Sequence, residues 1–195
     1  MHFRMPRCVH RGGVFRKGDL LGELRDPIPV KPVCAVLRSP GISVSEILDR
    51  LETLLGPVES RSPEFSFDYT SYYLKEMGGD LRKQFVSFQR LMHPAGLPVL
   101  KVQTNRLEAE WSESGKRRVN LDPGYVTSAK LVLASTKNFA HRVYLDECIY
   151  GDVQLRFTRG GFCVSEWTYP DYQTASALEF FSKVRERFNA QDKIL

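Results

Sequence analysis

The sequence predicts an α+β domain: a ferredoxin-like βαββαβ antiparallel core, extended by a C-terminal β-meander and a final helix. Three observations carry this expectation. Up to residue 122, short apolar runs and helical faces alternate in the order β-α-β-β-α-β, the order of the split βαβ fold. An antiparallel sheet with two helices on one face follows from it. Residues 141–167 then hold three strand-like runs joined by Asp146-Glu147 and Arg159-Gly160-Gly161, and an amphipathic run with a capping signal closes the chain.

Pro32-Val33-Cys34-Ala35-Val36-Leu37 is an apolar run ended by Arg38-Ser39-Pro40-Gly41, which reads as a buried first strand. Ser43 opens a helix, with Glu46 at the capping-box position. Val44, Ile47, Leu48, Leu51, Leu54 and Leu55 share one helical face, and Gly56-Pro57 is a natural stop. Val58 to Phe67 reads as a second strand, with Phe65 and Phe67 on one side. Asp68 to Gly79 reads as a short helical turn or loop, and Phe85 to Leu91 as a third strand. A second helix is expected from about Pro94 to Glu113, with Leu100, Thr104, Leu107 and Trp111 on one face and Gly115 as its end. Arg118 to Leu121 is a fourth strand, closed by Asp122-Pro123-Gly124-Tyr125, whose Pro and Gly suit a type II turn. Leu131 to Ser135 is apolar and fits strand or helix. The meander occupies His141–Leu145, Ile149–Thr158 and Phe162–Trp167. The last helix starts near Thr174 or Ser176, with Glu179 completing a capping box from Ser176.

At 195 residues, 42% hydrophobic and 26% charged, the chain fits one soluble domain. No apolar run reaches the ~20 residues of a membrane helix, and the first 30 residues lack the apolar centre of a secretory signal. The net charge of +5 is unevenly spread. Residues 1–31 carry seven basic and three acidic side chains, which leaves about +1 for residues 32–195. A nucleic-acid footprint needs a basic face on the fold itself, so nucleic acid is not the expected partner. Residues 1–31 read as a basic, flexible extension, or as an arm for an anionic partner. Cys8, Cys34, Cys148 and Cys163 show no paired spacing, so they read as reduced thiols in a cytoplasmic protein, with no metal site.

The stretches FDYTSYYLKEMG (67–78), TNRLE (104–108), RRVNLDPGYVTSAKLVLASTK (117–137), HRVYL (141–145) and WTYPDY (167–172) carry a resemblance. With them the chain resembles the uncharacterised prokaryotic family catalogued as domain of unknown function 4416, over roughly residues 32–190. The resemblance implies a single compact cytosolic domain and no established activity. Members of that family typically begin near the first strand, so residues 1–31 depart from the pattern.

The densest chemistry lies in residues 116–144. Lys130, Lys137, His141 and Arg142, with Arg117 and Arg118, could hold a phosphate or carboxylate, since Arg contacts such groups in bidentate fashion. The competing reading is a solvated sheet edge, where Lys and Arg also prevent edge pairing. Asn120 and Asp122 could orient a ligand hydroxyl or a water; Asp122 could equally bond its own turn backbone. Asp68, Tyr69, Tyr72, Tyr73 and Glu76 put carboxylates beside rings, and Asn105 and Glu108 sit one helical turn apart. Asp68, Glu76 and Asp122 are thus the candidate acid–base groups. Arg118, Asn120, Lys130, Lys137, His141, Arg142 and Tyr72 are the candidate ligand-binding residues. Trp167, Tyr169, Asp171 and Tyr172 form an aromatic box, for stacking or for core cover. P-loop, Rossmann, HExxH and GxSxG patterns are absent, and no cofactor is named.

Three functions compete. A binder of, or enzyme acting on, an anionic, phosphate- or nucleotide-like molecule requires Asp68, Glu76, Asn120, Asp122, Lys130, Lys137 and Arg142 to meet in one cleft. A nucleic-acid- or protein-binding module requires a flat sheet face with exposed aromatics. A scaffold requires neither.

Overall fold

The computed structural model describes residues 26–192. Among these it is an α+β structure with one nine-stranded sheet and four α-helices. The first half runs β1 (Lys31–Arg38), α1 (Val44–Leu55), β2 (Val58–Arg61), β3 (Phe65–Ser66), α2 (Leu74–Met77), β4 (Arg82–Phe88) and α3 (Leu97–Glu110). The second half runs β5 (Val119–Val126), β6 (Lys130–Ser135), β7 (Arg142–Asp146), β8 (Ile149–Thr158), β9 (Gly161–Cys163) and α4 (Ala175–Asp192). The strand order is β2-β4-β1-β5-β6-β8-β7, with β3 also on β4 and β9 also on β8. Every pairing is antiparallel.

β1 lies inside the sheet because its residues are apolar on both faces. Cys34 and Val36 pack under α1 and α3 with Ile47, Leu51, Leu97 and Leu100. Val33 and Ala35 point the other way, to Phe181 and Val184 of α4. The sheet is therefore covered on both faces, and each fully buried Val, Leu or Phe contributes roughly 1.5–3 kcal/mol.

Several sequence expectations change here. The full strand order differs from a four-stranded ferredoxin-like sheet, because β6, β8 and β7 continue it beyond β5. The expected second strand is broken at Ser62-Pro63, where the Ser62 hydroxyl instead accepts from the Phe85 amide at 3.0 Å. The expected second helix opens with a 3-10 turn, Pro94–Gly96, and ends at Glu110. Ser43 stands at the N-cap of α1, but its hydroxyl bonds Ser45, so no capping box forms. α4 is capped by Thr174, which accepts from the Ala177 amide at 3.2 Å, rather than from Ser176. Leu131 to Ser135 is strand.

The largest correction is Asp122-Pro123-Gly124-Tyr125, which is not a turn but the middle of β5. Leu121 directs its backbone N–H and C=O away from β1, toward the β6 side, where side chains take them. Strand alternation gives Pro123 the same direction. Its missing N–H falls where β6 has already parted from β5, since that ladder covers only Gly124–Val126 against Leu131–Leu133. A proline is thus tolerated inside the sheet. Gly124 is needed because a Cβ there would strike the Val132 carbonyl oxygen and come within 2.6 Å of Leu133 Cδ2.

Residues 1–25 of the expected N-terminal extension lie outside the described residues; of its last positions, Val30 and Lys31 are buried in the fold. No described helix is long and apolar enough to cross a membrane.

Candidate functional site

The parting of β5 from β6 builds the site. Above Gly124 the edge of β5 has no strand to pair with, and α3 supplies the substitutes from below. Glu108 Oε1 accepts from the Leu121 amide at 2.9 Å, and Lys101 Nζ donates to the Leu121 carbonyl at 2.6 Å. Lys101, Thr104 and Glu108 lie at i, i+3 and i+7, so they form one buried polar stripe on a helix whose other buried residues are Leu97, Pro98, Leu100 and Leu107. Each is at most 6% exposed. Buried polar groups persist when their hydrogen bonds are made, and here α3 and β5 satisfy each other.

From that plug an ion-pair network runs to the surface. Arg117, just before β5, grips Glu76 of α2 with two hydrogen bonds of 2.7 and 2.8 Å. It also donates to Glu108 at 2.9 Å and to Asn120 at 3.1 Å. The hydrogen bond from Arg117 holds the Glu76 carboxyl below the usual carboxylate range, although partial burial opposes it. Asn120 donates to Asp122 at 2.9 Å, and Asp122 lies 3.5 Å from Lys101.

A second wall comes from β4, β6, β7, β8 and the 3-10 turn Pro170–Gln173. Lys83 is 2.7 Å from Asp171, and its ammonium lies over the rings of Phe67 and Tyr172. Every guanidinium nitrogen of Arg142 is engaged. It donates to Asp152 at 2.7 Å, Ser135 at 2.6 Å, the Lys137 carbonyl at 3.1 Å and the Tyr169 hydroxyl at 2.6 Å. Burial pushes the Tyr169 phenol up to about 12, with Arg142 working against it. Lys137 places its ammonium 4.1 Å over the Tyr72 ring, joining the two rims.

Between these walls is a cavity of about 700 Å³, within the range of small-molecule sites. Of the candidate ligand-binding and acid–base residues, Tyr72, Asn120, Asp122, Lys137 and Arg142 line it, and so do Tyr69, Tyr73, Asn105, Glu108, Arg117, Tyr169 and Asp171 from the other clusters singled out in the sequence. Glu76 does not, but reaches it through Arg117. His141 stands behind the wall, stacked on Trp167 with its Nε2 3.6 Å from Asp152. Arg118 turns away to Glu113 and the Pro40 carbonyl. Lys130 is exposed at the start of β6, by the β5–β6 hairpin, and Asp68 is exposed; neither lines the cavity. The convergence expected of seven residues is thus met directly by Asn120, Asp122, Lys137 and Arg142. Among the acid–base candidates only Asp122 lines the cavity.

Lys83, Lys101 and Asp152 line the site and were not singled out from the sequence. A signal existed for Lys101, since Lys101, Asn105 and Glu108 fall at i, i+4 and i+7 on the second helix. Lys83 and Asp152 offered none, because a single charge inside a strand does not declare which face it occupies.

The family described as domain of unknown function 4416 matches residues 28–188, and the chain belongs to that family. No curated protein and no solved structure matches it.

Proposed function

We propose that this member of the family binds an anionic, phosphate- or nucleotide-like small molecule in the cleft between β5 and β6. One observation carries the reading. Among the described residues lining the cavity, Lys137 is the cation with no carboxylate within ion-pair distance. Lys83 has Asp171, Lys101 has Glu108 and Asp122, Arg117 has Glu76 and Glu108, and Arg142 has Asp152. An otherwise neutralised cavity leaves one ammonium at its rim for an anion. A charge-assisted hydrogen bond there contributes about 1.5–3 kcal/mol. Asn120 and Asp122 on the floor offer an amide and a carboxylate to ligand hydroxyls.

Helices on both sheet faces favour this reading over a flat nucleic-acid platform, as does the near-neutral charge of residues 32–195. The order β2-β4-β1-β5, with α1 and α3 as crossovers, supports treating the first half as a ferredoxin-like unit to which β6, β8 and β7 are added. We also propose a cytoplasmic location, in keeping with the free thiols of Cys34, Cys148 and Cys163.

The test is a thermal-shift screen of inorganic phosphate, phosphosugars, nucleotides and carboxylates at low salt, on wild type and Lys137→Met. Lys137 is a better probe than Arg142, whose removal would leave Asp152 buried and unpaired. The expected result is a stabilising anion whose affinity falls roughly tenfold or more in Lys137→Met. If no anion shifts the wild type, or if Lys137→Met shifts equally, the proposal fails.

A further inference from the structure

One wall of the cavity is made of rings. Residues 67–73, between β3 and α2, are pinned at one end by the Phe67 amide, which donates to the Leu81 carbonyl at 2.8 Å. They turn at Thr70, whose hydroxyl accepts from the Tyr72 amide at 3.1 Å. That course brings Tyr72, Tyr73, Phe67 and Tyr69 into a continuous chain, with successive ring centroids 4.9, 5.9 and 5.6 Å apart, and all of them line the cavity. Such separations are those of favourable aromatic pairs. The inner two rings, Phe67 and Tyr73, also rest on the small core of Leu37, Met77 and Leu81. Tyr69 and Tyr72 pack against no core cluster among the described residues, and neither does Phe139, which lines the cavity from the segment between β6 and β7. Those three are 39%, 55% and 51% exposed. Core packing accounts for the inner rings but not for the outer three.

We propose that the ligand of this cleft is a nucleoside monophosphate, with its base against the outer rings, its phosphate at Lys137 and its ribose hydroxyls at Asn120 and Asp122. The inference rests on the anion reading above and narrows it. Three chemistries meet in the cavity: bare rings, one ammonium without a carboxylate, and an amide beside a carboxylate. A nucleoside monophosphate complements all three. A phosphosugar would leave the rings uncovered, and an aryl carboxylate would bring no hydroxyls for Asn120 and Asp122. Every base has a π-face, so a wall of rings takes it by stacking. The ammonium of Lys137 lies 4.1 Å over the Tyr72 ring, so the free charge stands beside the rings, as a ligand carrying both a base and a phosphate requires. A cavity of about 700 Å³ is within the range that encloses molecules of that kind.

Isothermal titration calorimetry at low salt tests this on wild type, Tyr69→Leu and Phe139→Leu. The probes are the ribonucleoside 5′-monophosphates of the common bases, ribose 5-phosphate, and the corresponding free nucleosides. The tightest nucleotide should bind wild type roughly tenfold or more tightly than ribose 5-phosphate, because stacking a base on aromatic side chains contributes on that scale. Either leucine variant should lose most of that advantage and bind ribose 5-phosphate as wild type does. Circular dichroism should show both variants folded, and the wild-type comparison does not depend on either of them. If ribose 5-phosphate binds as tightly as the best nucleotide, or nucleotide binding is unchanged in both variants, the nucleotide assignment fails and the anion reading stands. If a nucleoside binds as tightly as its monophosphate while ribose 5-phosphate does not bind, or if no probe binds, the anion reading fails and the nucleotide assignment fails with it.

Discussion

Replacing Glu108 by alanine should be the most damaging single change at the site. The Glu108 carboxylate is 2% exposed and holds three partners at once: the Leu121 amide, Arg117, and Lys101 at 3.7 Å. Leaving the Leu121 N–H buried without an acceptor costs about 1–3 kcal/mol. Removing one member of a buried charge cluster costs about 3–5 kcal/mol, because Lys101 remains with less compensation. These losses describe overlapping contacts and do not add, so the expected destabilisation is about 3–5 kcal/mol. In a domain of this size it lowers the melting temperature by roughly 6–20 °C. Urea unfolding gives the free energy and calorimetry the midpoint. Glu108→Gln keeps an oxygen for the Leu121 amide and loses only the charge, so it should fall between alanine and wild type. If Glu108→Ala lies within about 1 kcal/mol of wild type, the helix does not stand in for the missing strand. If Gln is as costly as Ala, the charge cluster matters and the ladder substitution does not.

Gly124→Ala should cost at least about 1–3 kcal/mol in urea unfolding, because the new methyl meets the Val132 carbonyl and Leu133, and the hairpin must shift. The Glu76 carboxyl has a lowered folded pKa, so its contribution is complete above the ordinary glutamate value of about 4.3 and is lost as pH falls through the folded value. A pH series of melting temperatures should show that acid limb in wild type and a flatter one in Glu76→Gln. Tyr169 has a raised pKa of about 12, so the stability it contributes holds below the ordinary tyrosine value of about 10 and declines as pH rises beyond it. In absorbance titration the difference between wild type and Tyr169→Phe should be one phenol that ionises near pH 12, not near 10.

The parts of the fold that were legible in the sequence are those where local pattern and burial agree. β1 is apolar at nearly every position and is buried on both faces; α1 carries a clean helical stripe and ends at a glycine with φ +80°. The Asp122-Pro123-Gly124 run misled because its turn chemistry is real but overruled. β1 pairs with all eight residues of β5, and that ladder outweighs the local preference for a turn. The site was half legible. Asn120, Asp122, Lys137 and Arg142 cluster along the chain as well as in space, so their density was visible. Lys83 and Lys101 come from β4 and α3, and only the three-dimensional gap between β5 and β6 brings them to the same cavity. The role of Arg142 also could not be read from spacing, since its partner Asp152 lies on the next strand, and that partner converts an anion receptor into a wall.

The plug from α3 gives Leu121 an unusual place in hydrogen exchange. Its amide is buried and bonded, but to a side chain of a helix and not to a neighbouring strand. Its exchange with solvent deuterium therefore follows the breathing of α3, whereas the amides of Asn120 and Asp122, which face β1, follow separation of the sheet. Two adjacent segments of one strand would thus report two different openings. A molecule filling the cleft would slow the first clock and leave the second nearly unchanged.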